Sequence, residues 1–193
     1  MFEAVLFDLD RTLVDRDGAV ERILADFDPT TREQLRALDD GGRGCRKRLF
    51  TAWEQLGGGP MDQASWGRCL AAELRPDPAL LSRLSELSGR FRLGLISNGG
   101  GATQRAKLAA TGLDTVFAEA VWISAEVGAA KPDVRLFESA LQGLGVTPSG
   151  ALYVGDLEEV DGVGARAAGL RFLQAEALWS ASGWSRLLAE VAA

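Results

Sequence analysis

The chain of 193 residues is 47% hydrophobic and 25% charged, with a net charge of −6 and an isoelectric point near 4.8. That is enough chain for one well-buried domain plus a small insertion. The acidic balance argues against a nucleic-acid groove, no apolar run approaches the ~20 residues of a membrane span, and no signal-peptide pattern opens the sequence, so a cytoplasmic location is expected. There is no histidine, which removes imidazole acid–base chemistry and Ser-His-Asp or Cys-His catalysis. Cys45 and Cys69 make no zinc site and read as free thiols before a disulfide.

Residues 1–7 are an apolar run that reads as an interior strand of a parallel sheet and opens into Asp8-Leu9-Asp10-Arg11-Thr12. Alternation along a strand starts Asp8 and Asp10 on one side. Two carboxylates held close resist joint ionisation, so one can be a nucleophile or metal ligand while the other holds a proton. The bland alternative is an Asp-rich turn. Over residues 16–75 strand signals vanish and helix-like runs are broken at Asp28-Pro29, Asp40-Gly41-Gly42 and Gly57-Gly58-Gly59-Pro60, which reads as a helical insertion. Within it Arg43, Arg46 and Lys47 are expected on one helical face, with Leu49, Trp53 and Leu56 on another. They are either a solvated basic face or a grip for a second anionic group on a substrate.

Asp77-Pro78 opens a predicted helix to about residue 88, with Leu80, Leu81, Leu84 and Leu87 on one face. A strand over 92–97 ends in Ser97-Asn98, and the Gly99-Gly100-Gly101 loop after it either admits phosphate to its amides or is merely flexible. A helix over 102–111 stops at Gly112, a short strand covers 119–123, and Lys131-Pro132 precedes a helix over 133–144 with Val134, Phe137, Leu141 and Leu144 inward. A strand over 151–154 leads to Gly155-Asp156, with Asp161 beyond. An edge strand over 170–173 and a closing helix carrying Trp184, Leu187, Leu188 and Val191 complete the chain. This alternation predicts an α/β fold with a doubly wound, Rossmann-like parallel sheet whose strand ends converge on one crevice.

In that order, Asp8-Leu9-Asp10-Arg11-Thr12, Ser97-Asn98, Lys131-Pro132, and Gly155-Asp156 with Asp161 resemble the motifs of the haloacid dehalogenase superfamily, phosphatase branch. The resemblance implies a core of residues 1–15 and 76–193 and a helical cap domain of residues 16–75 that closes over the site. It implies Asp8 as a nucleophile forming an aspartyl-phosphate, and Asp10 protonating the leaving alcohol and then activating water. It also implies Mg²⁺ held by Asp8, the Asp10 backbone carbonyl and Asp156, with Asp161 fixing either the metal's waters or Lys131. Ser97 and Asn98 would donate to phosphoryl oxygens, and Lys131 would add positive charge beside Asp8. Taken singly, these residues are a solvated serine, a surface lysine and helix-capping carboxylates. Two positions depart from the pattern: Arg11 stands where glycine is more usual, and Leu157 where a serine is. An acid at Asp10 favours phosphate esters over halo-acids, and the lack of histidine counts against phosphoglucomutase-like members. The implied partner is a small phosphorylated molecule, acted on by a monomer or homodimer. Dehalogenation of a short halo-acid and a catalytically idle binding module are the alternatives.

Overall fold

The first strand, β1 (Ala4–Phe7), sets the architecture because all four of its side chains, Ala-Val-Leu-Phe, are fully buried. A strand covered on both faces needs no polar alternation, which is why it reads as a continuous apolar run. In the computed structural model, which describes residues 2–175 and 177–192, β1 is the middle of a five-stranded parallel sheet. Its order is β3-β2-β1-β4-β5, with β2 Arg92–Ser97, β3 Val121–Ile123, β4 Ala151–Gly155 and β5 Arg171–Gln174. Phe7 registers with Leu95 on one side and Val154 on the other. The chain therefore leaves β1, β2 and β4 at one edge, where the winding direction reverses and an α/β sheet opens its crevice.

Helices cover both faces. Val5, Phe7, Leu93, Leu95, Leu152 and Val154 join one apolar cluster, while Leu6, Ile96, Ala151 and Tyr153 join the other. Between β1 and β2 lie α1 (Arg16–Ile23), α2 (Pro29–Asp39), α3 (Arg46–Gln55), α4 (Gln63–Glu73) and α5 (Pro78–Ser88). After β2 come α6 (Gly101–Thr111), α7 (Leu113–Phe117), α8 (Ser124–Val127), α9 (Val134–Leu144), α10 (Val163–Ala167) and α11 (Ala181–Ala192). Asp-Pro marks two helix starts for a physical reason. Asp28 and Asp77 each accept two backbone N–H groups of the first turn, and the proline that follows lacks the donor that would go unmet there. Gly112 ends α6 at φ 73°, a conformation that favours glycine.

Helices α1–α4 do not form a separate core. Leu35, Leu49, Trp53, Trp66 and Leu70 belong to the same apolar cluster as Val5 and Phe7. Trp53 meets Phe27 and Trp66 edge-on at ring separations of 5.0 and 6.0 Å. α4 lies close against α6, since a Cβ on Gly67 would come within 2.7 Å of Thr103 Oγ1. No helix among the described residues is long and apolar enough to cross a membrane.

Several boundaries shift from the sequence reading. α9 buries Leu136, Phe137, Ala140 and Leu141, leaving Val134 and Leu144 half-buried. α11 buries Trp184 and Leu187, but Leu188 is exposed. The strand expected from 119 starts at Val121, because Ala118 takes a positive φ of 45° and turns the chain first. The short α7 and α8 were not predicted, being too brief for a helical period to show.

Candidate active site

The crevice at the sheet edge gathers most of the polar residues singled out from the sequence. Asp8 follows β1 and is pinned by its N–H to the Val154 carbonyl, 2.8 Å away. Its Oδ1 accepts from Lys131 Nζ at 2.6 Å, and the same ammonium donates to Asp161 Oδ1 at 2.7 Å and to the Tyr153 hydroxyl at 2.9 Å. All three lysine protons are thereby used, and Asp8, Lys131 and Asp161 are each at least nine-tenths buried. Burial alone works against the Lys131 charge, but Asp8 and Asp161 outweigh it and hold the ammonium above its usual range. Burial, reinforced by the Asp161 and Asp10 charges, lifts the Asp8 carboxyl to about 7 despite Lys131.

Asp161 sits on a wide helical turn, Glu158–Gly162, after β4. Its second oxygen accepts the Leu157 N–H at 3.0 Å. Gly155 makes this possible, because a Cβ there would lie 2.6 Å from the Asp161 carboxylate. Both Asp161 oxygens are thus engaged in holding Lys131, Tyr153 and the turn itself. Asp156, at the end of β4, is buried too. Burial raises its carboxyl to about 6, against the pull of Arg11, whose Nε lies 2.7 Å from Asp156 Oδ2.

Asp10 does not share a proton with Asp8 in the way its spacing suggests. β1 ends at Phe7, so strand alternation no longer governs residue 10, and the side chain turns toward α6. There Lys107 Nζ donates to both Asp10 oxygens, at 2.7 and 2.8 Å, and Gln104 Nε2 donates to one at 3.2 Å. Burial pushes the Asp10 carboxyl up, but Lys107 and Arg16 more than offset it, so its pKa falls below the usual range. The two carboxylates do split, with Asp8 raised and Asp10 lowered, the reverse of the expected assignment.

Ser97 is buried at the end of β2 and accepts from Gln104 Nε2 at 2.6 Å. The Asn98 amide is occupied otherwise than expected: Nδ2 donates to the Lys131 carbonyl at 3.0 Å and Oδ1 accepts the Lys131 N–H at 2.8 Å. This reciprocal pair fixes the Lys131 peptide and uses one of the two Nδ2 hydrogens. Arg43, Arg46 and Lys47 do not share a face. Arg43 lies in the turn before α3, pairs with Asp40 at 3.0 Å and comes within 3.7 Å of Glu159. Arg46 pairs with Asp39 at 2.7 Å. Lys47 is exposed and does not line the site. The Gly-rich turn delays the helix to residue 46, which breaks the periodicity assumed for the cluster.

Asp8, Asp10, Ser97, Lys131 and Asp156 line a cavity of about 120 Å³, roofed by Gly41, Gly42 and Arg43. Carboxylate oxygens of Asp8, Asp156 and Asp161 lie within 4.8 Å of one another. An all-oxygen, anionic donor set suits a hard cation such as Mg²⁺, so the residues present fit that ion. The sequence reading missed Lys107, Gln104 and Arg16. A signal existed: Thr103, Gln104, Lys107 and Thr111 recur at helical spacing and are all buried, a polar stripe on the face of α6 turned inward.

The family model of haloacid dehalogenase-like hydrolases matches residues 2–169. The chain belongs to this family. Among curated relatives of this haloacid dehalogenase-like hydrolase, a glyceraldehyde 3-phosphate phosphatase of Methanothermobacter thermautotrophicus is 33% identical over 190 residues, spanning 88% of this chain and 84% of its own. A phosphoserine phosphatase of Thermus thermophilus is 39% identical over 142 residues, spanning 71% and 57%. Among solved structures, the HAD-hydrolase YfnB of Bacillus subtilis bound to magnesium superposes with a TM-score of 0.73 at 21% identity, covering 90% of this chain and 86% of that one. That last likeness speaks to the fold.

Proposed function

We propose that this hydrolase is a Mg²⁺-dependent phosphatase of small phosphomonoesters, working through an aspartyl-phosphate on Asp8. The observation that carries the reading is a second carboxylate, Asp10, two residues beyond Asp8 and lining the same cavity. Attack on phosphorus needs a group to manage the leaving oxygen's proton and the water's, and a halide leaving group does not. The curated relatives named as phosphatases support it.

Lys131 orients Asp8 and shields its charge from the incoming phosphate. The Asp8 carboxylate attacks phosphorus as the bond to the alcohol oxygen breaks, and Asp10 gives the departing alcohol the proton it accepted from water in the preceding turnover. Water then attacks the aspartyl-phosphate and gives a proton to Asp10, releasing inorganic phosphate and restoring Asp8. Lys107 favours the ionised Asp10 that accepts this proton, and Asp10 then carries it to the next leaving alcohol. Ser97 lines the phosphoryl position, and Asn98 and Asp161 act by fixing Lys131. Asp8, the Asp10 carbonyl and Asp156 would hold Mg²⁺, which supplies neutralising charge to the phosphoryl group when bound. Helices α1–α4 serve as the cap, and the cavity of about 120 Å³ suits a small substrate. A cytoplasmic monomer or homodimer fits the free thiols of Cys45 and Cys69.

The test is hydrolysis of p-nitrophenyl phosphate with and without Mg²⁺, by the wild type and Asp8→Asn. The expected outcome is Mg²⁺-dependent turnover that falls by at least roughly 10⁴-fold in the variant. Turnover indifferent to Asp8 would sink the mechanism, and halide release from 2-chloropropionate would then be measured.

A further inference from the structure

Arg11 takes a positive φ of 64°, a conformation that costs a residue with a Cβ. Its backbone is held on both sides: the N–H donates to the Val14 carbonyl at 2.8 Å, and the carbonyl accepts from Ala177 at 2.8 Å. So fixed, the side chain aims at the acidic cluster and brings Nε to 2.7 Å from Asp156 Oδ2. The contact is an ion pair and not an aligned hydrogen bond, since Nε finds no partner of suitable geometry. The turn at Gly41 closes over the guanidinium so tightly that a Cβ on Gly41 would overlap it. A cation of the chain's own thus sits on a carboxylate that belongs to the cation site.

We infer that Arg11 is an internal competitor for the metal site: its guanidinium neutralises Asp156 in the resting protein and must leave that carboxylate before a divalent cation takes it. This rests on the Mg²⁺ reading above. The exchange is one cation for another on Asp156. If the paired form accounts for about nine molecules in ten, the apparent affinity for the cation falls about tenfold. Arg11 then sets the Mg²⁺ concentration at which the hydrolase is loaded.

The experiment is calorimetric titration of MgCl₂ into the wild type, Arg11→Gly, Arg11→Gln and Asp156→Asn, repeated with MnCl₂ followed by electron paramagnetic resonance. Arg11→Gly removes both the charge and the backbone strain, whereas Arg11→Gln removes the charge alone. Circular dichroism melts verify that each variant is folded. The expected result is roughly tenfold tighter binding in both Arg11 variants and loss of binding in Asp156→Asn. Wild-type affinity in both Arg11 variants, with binding still lost in Asp156→Asn, would overturn the competition while leaving the metal site standing. Tightening in Arg11→Gly alone would assign the effect to strain and overturn it as well. If Asp156→Asn binds as the wild type does, or no protein binds saturably, the cation site itself is wrong and the competition falls with it.

Discussion

Asp8 and Asp10 are the same chemical group two residues apart, yet the molecule treats them oppositely. Asp8 is wired to the sheet side of the crevice through Lys131, Tyr153 and Asp161, and its carboxyl rises to about 7. Asp10 is wired to α6 and faces the helical region, with Lys107 and Gln104 on it and Arg16 nearby, and its carboxyl falls. One lysine serves each. The difference lies in how it is shared: Lys131 divides its charge between two carboxylates, while Lys107 gives both its short contacts to one. Burial pushes both carboxyls up, and the cations prevail only at Asp10, where Lys107 is unshared and Arg16 adds to it.

Three changes would break or sharpen that contrast. The largest effect is expected from Lys131→Met, which leaves Asp8 and Asp161 without their common cation. A loss of about 3–5 kcal/mol in urea unfolding should accompany a fall of roughly 10²–10³ in kcat. A variant that keeps its stability would show that the sheet-side network is not the rigid one. Next, Asp10→Asn should separate substrates by leaving group. Hydrolysis of an alkyl phosphate should drop about 10²-fold, and that of p-nitrophenyl phosphate, whose leaving group needs no acid, considerably less. Equal losses on both would end the proposed division of labour. The smallest effect on chemistry is expected at Asp39→Ala. Arg16 binds Asp39 through two contacts of 2.7 and 2.8 Å, both residues being buried, and joins α1 to the end of α2. Unfolding stability should fall by about 3 kcal/mol while kcat/KM changes little. Burial raises the Asp39 carboxyl, but Arg16 and Arg46 more than offset it and hold it below its ordinary range. The stabilisation is therefore complete above the unfolded carboxyl's pKa of roughly 3.9 and is lost as pH drops through the lower folded value. The gap between wild type and variant should be constant from pH 7 to 5 and close only in stronger acid, as urea midpoints will show.

The strands were legible because burial on both faces turns β1, β2 and β4 into plain apolar runs, and their polar ends announce themselves. The wiring of the site was less so. Asp8 and Asp10 look paired when only the spacing is considered, but the partner of Asp10 comes from 97 residues away on another element. The Arg43, Arg46 and Lys47 group looks like a face until one sees that Gly41 and Gly42, at φ 57° and 93°, turn the chain there and let the helix begin only at Arg46. Asn98 reads as a donor at a strand end, and only the position of the Lys131 peptide shows what its amide holds. Spacing reports which way a side chain starts out; it is silent about distant groups that compete for it.

The placement of β1 has a consequence for how the molecule is made. Both of its ladders are non-local, and the second closes only when β4, ending at Gly155, has been synthesised. At about 5–20 residues per second, that is a delay on the order of ten seconds after β1 itself emerges. Throughout it, four residues that are fully buried in the folded protein have no second neighbour, and pairing so far apart in sequence is slow to nucleate. The strand that leads to Asp8 is thus made well before the neighbour that encloses it, which lengthens the time its apolar run is open to unwanted contacts.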